Sequence, residues 1–143
     1  MAMFQTRNLL VLCIGNSCRS QMAEGFLKTM LPLDWKVYSA GIAKHGINPY
    51  AAKVMLEEGI DIRGYSSNHV EEYKELPFSA MLSLCDHARA NCPWFPAEAE
   101  LIHQHFVDPA DAKGVEEEKL RIYRATRDAL RDWLPGFVER LRG

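Results

Sequence analysis

Long apolar runs are missing from this 143-residue sequence. The longest, Leu9 to Ile14, follows Arg7 closely and runs straight into Asn16 and Ser17. That is far short of the roughly 20 apolar residues that span a bilayer and too short for a signal core. It reads as a buried strand, so a soluble, cytoplasmic protein without a membrane partner is expected. A surplus of one charge sign is missing too, because 17 basic and 19 acidic side chains leave a formal charge of -2. Nothing in that balance supplies the basic footprint that holds a phosphate backbone, which excludes nucleic acid as a partner. Cysteine is scarce: Cys13 and Cys18 form one cluster, Cys85 and Cys92 another. These pairs enclose four and six residues, a poor match to the shorter spacings usual in structural zinc sites, and no metal is expected. A disulfide framework is also disfavoured, since the chain has apolar content for a full core and no export signal. Reactive thiols in a reducing compartment fit better. Internal repeats, low-complexity tracts and linkers are absent as well, and 143 residues suit one core but not two ordinary domains. A single domain over residues 1–143, acting as a monomer, is expected.

What is present alternates between strand and helix patterns. Asn8 to Leu12 has the composition of a fully buried strand, and Met22, Ala23, Phe26, Leu27, Met30 and Leu31 recur at helical spacing after it. Lys36 to Ser39 reads as a second strand ended by Gly41. Asn48-Pro49 starts a helix through Met55 that Gly59 closes. Ser79 to Leu84 and Ile102 to Val107 are predicted as the third and fourth strands. Between them, Asp86 to Asn91 permits a helical turn, stopped by Pro93 and Pro96. Leu120, Tyr123, Leu130, Leu134, Phe137 and Leu141 mark a final amphipathic helix, with a gap in the apolar pattern at Arg127 and a kink or split predicted at Pro135. Glu116 to Glu118 with Lys119 form its solvated, dipole-compatible start. Strands alternating with helices predict an α/β three-layer sandwich with a parallel four-stranded sheet and ligands at the strands' carboxyl ends. Cys13 and Cys85 both fall at such ends.

Cys13 opens the heptapeptide Cys13-Ile14-Gly15-Asn16-Ser17-Cys18-Arg19. Gly15 permits a tight turn, Asn16 tolerates left-handed backbone, and a helix begins where the loop ends. Successive N–H groups from Ile14 through Ser20 can therefore form an anion nest at a positive helix end. Such a P-loop favours a thiolate at Cys13 and a tetrahedral oxyanion beside it. Arg19 brings a planar fork for two of the anion's oxygens, and Ser20 can donate a hydrogen bond to the thiolate. Cys18 is read as a small structural residue on the first helical turn.

Cys85 and Cys92 read as a redox relay. Seven helical residues rise about 10 Å, whereas a disulfide needs Cα atoms within about 7 Å, so bridging this pair requires the segment between to unwind. The polar stretch from Asp86 to Asn91 tolerates that. His87 is read as solvated rather than as a thiol activator, and His103 and His105 as surface residues rather than a weak metal pair. A proton donor for the leaving oxygen is expected at Asp108, where Pro109 fixes the chain direction, with Asp111 as its competitor.

Together these residues resemble a known family, the thioredoxin-coupled arsenate reductases built on the low-molecular-weight tyrosine phosphatase fold. The resemblance spans nearly the whole chain. It rests on Cys13 and Arg19-Ser20 with Gln21-Met22-Ala23-Glu24-Gly25, on Tyr38-Ser39-Ala40-Gly41, on Leu84-Cys85-Asp86 with Cys92-Pro93, and on Asp108-Pro109-Ala110. It implies that Cys13 attacks arsenate while Asp108 protonates the leaving oxygen. Cys85 then attacks Cys13 to release arsenite, and Cys92 attacks Cys85 to leave a disulfide that thioredoxin reduces. Arsenic detoxification without a tightly bound cofactor is the implied role. Some relatives bind a monovalent cation through positions matching Asn16, Glu24, Ser66 and Asn68. The uncharged Asn68 implies at most a weak effect here.

Two other readings compete. A low-molecular-weight protein tyrosine phosphatase would use Cys13, Arg19 and Asp108 alone, but Ala110-Asp111-Ala112 lacks the aromatics that cradle a phosphotyrosine ring. Residual phosphatase activity is still expected, because phosphate and arsenate share geometry and charge. A non-catalytic redox sensor would have no use for the acid.

Overall fold

The computed structural model describes residues 6–142, so the outermost residues of the expected 1–143 domain lie outside it. Four strands carry the fold: β1 Arg7–Cys13, β2 Trp35–Gly41, β3 Ala80–Ser83 and β4 Glu100–His103. They pair in the order β2-β1-β3-β4, every pair parallel. The helices are α1 Arg19–Met30, α2 Pro49–Leu56, α3 Asp86–Asn91 and α4 Glu116–Arg142, with short 3-10 turns at Val70–Tyr73 and Pro109–Asp111. The result is the predicted three-layer α/β sandwich.

Strand alternation sorts the core into two. Leu9 and Val11 join Met22, Phe26, Val54, Leu82, Leu84, Leu130 and Phe137 under α1, α2 and α4. Leu10 and Leu12 point the other way and pack with Phe78, Met81, Cys85 and Ala88. The two faces explain why β1 reads as one unbroken apolar run: Leu9, Leu10, Val11 and Leu12 are all fully buried. Each such side chain contributes about 1.5–3 kcal/mol relative to exposure.

Helix α2 starts as predicted. Asn48 Oδ1 accepts the N–H groups of Tyr50 (2.9 Å) and Ala51 (3.2 Å), and Pro49 takes the first helical position. The gap at Arg127 has a structural cause, since the buried guanidinium donates to Val54 C=O (2.9 Å) and to Glu57 (2.7 Å), tying α4 to the end of α2. Two expectations are corrected. Pro135 does not split the last helix, which runs unbroken from Glu116 to Arg142; Pro135 is exposed while Leu134, Phe137 and Val138 stay buried, so packing holds the helix across one missing hydrogen bond. The fourth strand lies earlier than Ile102 to Val107, because β3 offers only four residues, Ala80 to Ser83, to pair with Glu100 to His103.

This strand order reverses direction at β1, whose connections leave to β2 on one side and whose other neighbour is β3. A crevice opens there at the carboxyl ends of the strands. The Cys13 loop occupies it.

Candidate active site

β1 ends at Cys13, and the chain turns through Ile14 to Cys18 into α1. Cys18 is the N-cap of that helix rather than part of its first turn, and it is buried. Asn16 makes the turn possible with φ 47°, in the left-handed region that asparagine tolerates. Gly41, opposite Cys13 in the β1–β2 register, lets the loop close. A Cβ there would lie 2.5 Å from Ile14 O, 2.6 Å from Ala43 O and 2.6 Å from Asn16 N.

The fully buried Asn16 side chain organises the loop from within. Its Nδ2 donates to Ser20 Oγ (2.8 Å) and Ser39 Oγ (2.9 Å), and its Oδ1 accepts the Asn68 N–H (2.7 Å). Because Ser20 Oγ accepts from Asn16, its own proton is free for Cys13 Sγ, 2.8 Å away. Ser39 donates onward to Glu24 Oε1 (2.5 Å), whose other oxygen meets Lys28 Nζ at 2.7 Å. The backbone carbonyl of Asn16 accepts from Gln21 Nε2 (3.0 Å) and Ser67 Oγ (3.0 Å).

Arg19, 3% exposed, comes off the first turn of α1 and donates to Phe106 C=O (2.8 Å) and Asp108 Oδ2 (3.3 Å). Asp108 is itself fixed, since Oδ1 accepts the Ala110 N–H at 2.9 Å. Cys13, Ile14, Gly15, Ser17, Cys18, Arg19, His45, Asp108 and Ala110 enclose a cavity of about 110 Å³. Drug-sized ligands need about 300 Å³ or more, so this is space for a small ion. Among the described residues, no Phe, Tyr or Trp lines it. Burial, followed by the nearby Cys13 and Asp108, pushes the Cys18 thiol up, which disfavours its thiolate. Asp111, the competing acid, is exposed and lines no part of the cavity.

Cys85 and Cys92 cap the two ends of α3. Cys85 is 3% exposed and lies in the Leu10, Leu12 and Met81 cluster. Cys13 alternates with Leu12 and meets Ser20 of α1, so the two sulfurs sit on opposite faces of neighbouring strand ends. Cys92 is half-buried, and its Sγ donates to Trp94 C=O (2.9 Å). Burial pushes its thiol up as well. All four cysteines are free thiols. His87 is exposed, as expected, but His103 is not a solvated surface residue: it is held between Ser83 and Asp86.

Residues 8–143 match the family model of the low molecular weight phosphotyrosine protein phosphatases. The chain belongs to that family. Its relatives include a protein named arsenate reductase from Halalkalibacterium halodurans, 45% identical over 90% of this chain and 92% of the relative. Another of that name, from Bacillus subtilis, is 43% identical over 94% of this chain and 97% of the relative. Among solved structures, an arsenate reductase in the phosphate binding state superposes with a TM-score of 0.74 at 28% identity, covering 94% of this chain and 98% of the other.

Within this phosphatase-family loop, the sequence reading missed three features. His45 lines the cavity from the segment after β2, Phe106 supplies the carbonyl that orients Arg19, and Ser39 extends the Asn16 network to Glu24. All three depend on contacts distant in the chain. The Tyr38-Ser39-Ala40-Gly41 motif was the one signal that marked Ser39 and Gly41.

Proposed function

We propose that this protein reduces arsenate to arsenite through a Cys13, Cys85 and Cys92 relay regenerated by thioredoxin. Arsenate enters the Cys13 cavity, where N–H groups of the loop and the Arg19 fork hold its oxygens. The Cys13 thiolate attacks arsenic, and one oxygen leaves as water with a proton from Asp108. As the anion takes up the guanidinium, Asp108 is released from Arg19 to face the leaving oxygen. Cys85 then attacks Cys13 Sγ; the sulfur–arsenic bond breaks, its electron pair stays on arsenic, and arsenite departs from a Cys13–Cys85 disulfide. Cys92 attacks Cys85, expelling the Cys13 thiolate and leaving a Cys85–Cys92 disulfide. The two electrons that reduce As(V) thus come from two thiols, and the thioredoxin dithiol restores them.

What carries this reading is the position of Cys85 and Cys92 at the two caps of α3, beside the strand that ends in Cys13. A purely hydrolytic phosphatase has no use for them. The small cavity and the names of the relatives support the same substrate class. Cys92 is a poor nucleophile while half-buried against Trp94, so the last exchange waits for α3 to open. The protein acts as a cytoplasmic monomer in arsenic detoxification, with no tightly bound cofactor. Lys28 already places a positive charge on Glu24, so a monovalent cation near Asn16, Ser66 and Asn68 changes activity only weakly. Phosphate esters are hydrolysed slowly at the same site, because phosphate matches arsenate in shape and charge.

A single turnover without thioredoxin tests the relay. Reduced protein mixed with excess arsenate is expected to yield one arsenite per chain and a Cys85–Cys92 disulfide by peptide mapping. Arsenite formation with all four thiols left free would rule the relay out.

A further inference from the structure

His103 holds the chain on both sides of Cys85. Its Nδ1 lies 2.6 Å from Ser83 Oγ and its Nε2 lies 2.5 Å from Asp86 Oδ1. Ser83 is the last residue of β3 and 4% exposed, and Asp86 is the first residue of α3. The ring suits both partners in either protonation state. Neutral, it accepts the Ser83 hydroxyl at Nδ1 and donates Nε2–H to the carboxylate; protonated, it donates from both nitrogens. A second tie comes from His105, whose Nδ1 accepts the Asp86 backbone N–H at 3.2 Å. That N–H is one of the orphan donors at a helix start, and Cys85, the N-cap, offers it no side-chain acceptor. The start of α3 is therefore fastened to the end of β4 rather than capped locally.

None of Ser83, Asp86 or His103 lines the anion cavity. As an isolated ion pair the contact would matter little, since the Asp86 side chain is 75% exposed. Its position gives it consequence. Cys85 points away from Cys13 and must swing to reach it, and α3 must unwind for Cys92 to reach Cys85. Both movements pull on the bracket that Ser83 and Asp86 form around Cys85.

We infer that His103 is a positioning residue, a staple across Cys85 that favours the helical, dithiol form of the Cys85–Cys92 segment and releases it when the disulfide forms. This inference rests on the relay proposed above. In a glutathione redox buffer the two thiols give two electrons and two protons to oxidised glutathione, which leaves as two reduced molecules while the Cys85–Cys92 bond forms. The staple stabilises only the left-hand side of that exchange. Its removal moves the equilibrium toward the disulfide.

The test measures this equilibrium in a Cys13→Ser, Cys18→Ser background, where Cys85 and Cys92 are the only thiols. Ser83→Ala, His103→Gln and Asp86→Ala are compared by alkylation and mass spectrometry, with thermal melts to verify folding. Each is expected to favour the disulfide by about three- to tenfold, a potential about 14–30 mV more negative. Asp86→Ala also removes a favourable helix-start charge, so the double His103→Gln, Asp86→Ala variant must shift less than the sum of the singles. Folded His103→Gln and Ser83→Ala proteins with an unmoved potential, or a strictly additive double, would overturn the staple and leave the relay standing. A background protein that forms no Cys85–Cys92 disulfide would overturn the relay and the staple with it.

Discussion

At φ 47° Asn16 occupies backbone space that few residues enter, and its side chain spends every polar atom on the loop. Truncation to alanine removes the acceptor of the Asn68 N–H and the donor shared by Ser20 and Ser39, which keep only their bonds to Cys13 and Glu24. An unpaired N–H costs about 1–3 kcal/mol and each lost bond about 0.5–1.5 kcal/mol. Asn16→Ala is therefore expected to melt at least about 5 °C lower than wild type in a calorimetric scan and to lose most of its phosphate affinity. Arg19 supports a sharper expectation. Lysine cannot reach Phe106 C=O and Asp108 while presenting a fork to an oxyanion, so Arg19→Lys should lower kcat/KM about 10²–10³-fold with the fold intact. Unchanged kinetics in that variant would contradict the role given to the guanidinium. Cys13, Arg19 and Ser20 were legible in the sequence because they share one short motif. The resemblance grouped Asn16 with Glu24 and Asn68, but the hydrogen bonds that make Asn16 a hub were not legible from the residues themselves, because Ser39 and Asn68 lie 23 and 52 residues away and only the topology brings them in.

Elements were legible where local chemistry decides them. Asn48-Pro49 carries a cap and a first-turn proline, and α2 begins there. Local chemistry did not decide Pro135 or the bounds of β4. In the first case buried neighbours override a helix breaker, and in the second the length of the partner strand sets the pairing. Packing between elements also makes Gly41 irreplaceable. Three backbone atoms lie within 2.6 Å of any Cβ placed there, and backbone cannot step aside as a side chain tip can. Gly41→Ala should lower the melting temperature and abolish phosphate binding together, read by calorimetry and by phosphate titration. A stable Gly41→Ala protein with normal anion affinity would mean that the loop is not pinned against β2.

Across the whole molecule, α4 is clamped to the end of α2 by charge as well as by its apolar stripe. The Arg124 guanidinium above all, with Arg127, holds the Glu57 carboxyl down to about 2 from its ordinary 4.5. A carboxyl lowered by folding contributes stability that is fully present above its unfolded value and is lost as pH falls toward the folded one, here between about 4.5 and 2. Glu57 is partly exposed, so the contribution is modest and weakens with salt. Glu57→Gln is expected to flatten the acid limb of the stability curve in that window while leaving neutral-pH activity unchanged. An unaltered acid limb in denaturant melts would place the acid sensitivity elsewhere.

The same large-scale arrangement sets the central claim. β1 and β3 deliver Cys13 and Cys85 to neighbouring strand ends on opposite faces, and Cys85 and Cys92 cap the two ends of α3. The proposed relay needs α3 to open before Cys92 reaches Cys85. The direct measurement is arsenate-dependent NADPH consumption with thioredoxin and thioredoxin reductase, comparing wild type with Cys92→Ser and following p-nitrophenyl phosphate hydrolysis in parallel. Turnover in wild type that disappears in Cys92→Ser, with slow ester hydrolysis retained in both, is the predicted result. Brisk ester hydrolysis without arsenate turnover in wild type would contradict it and leave a phosphatase whose distal cysteines are structural.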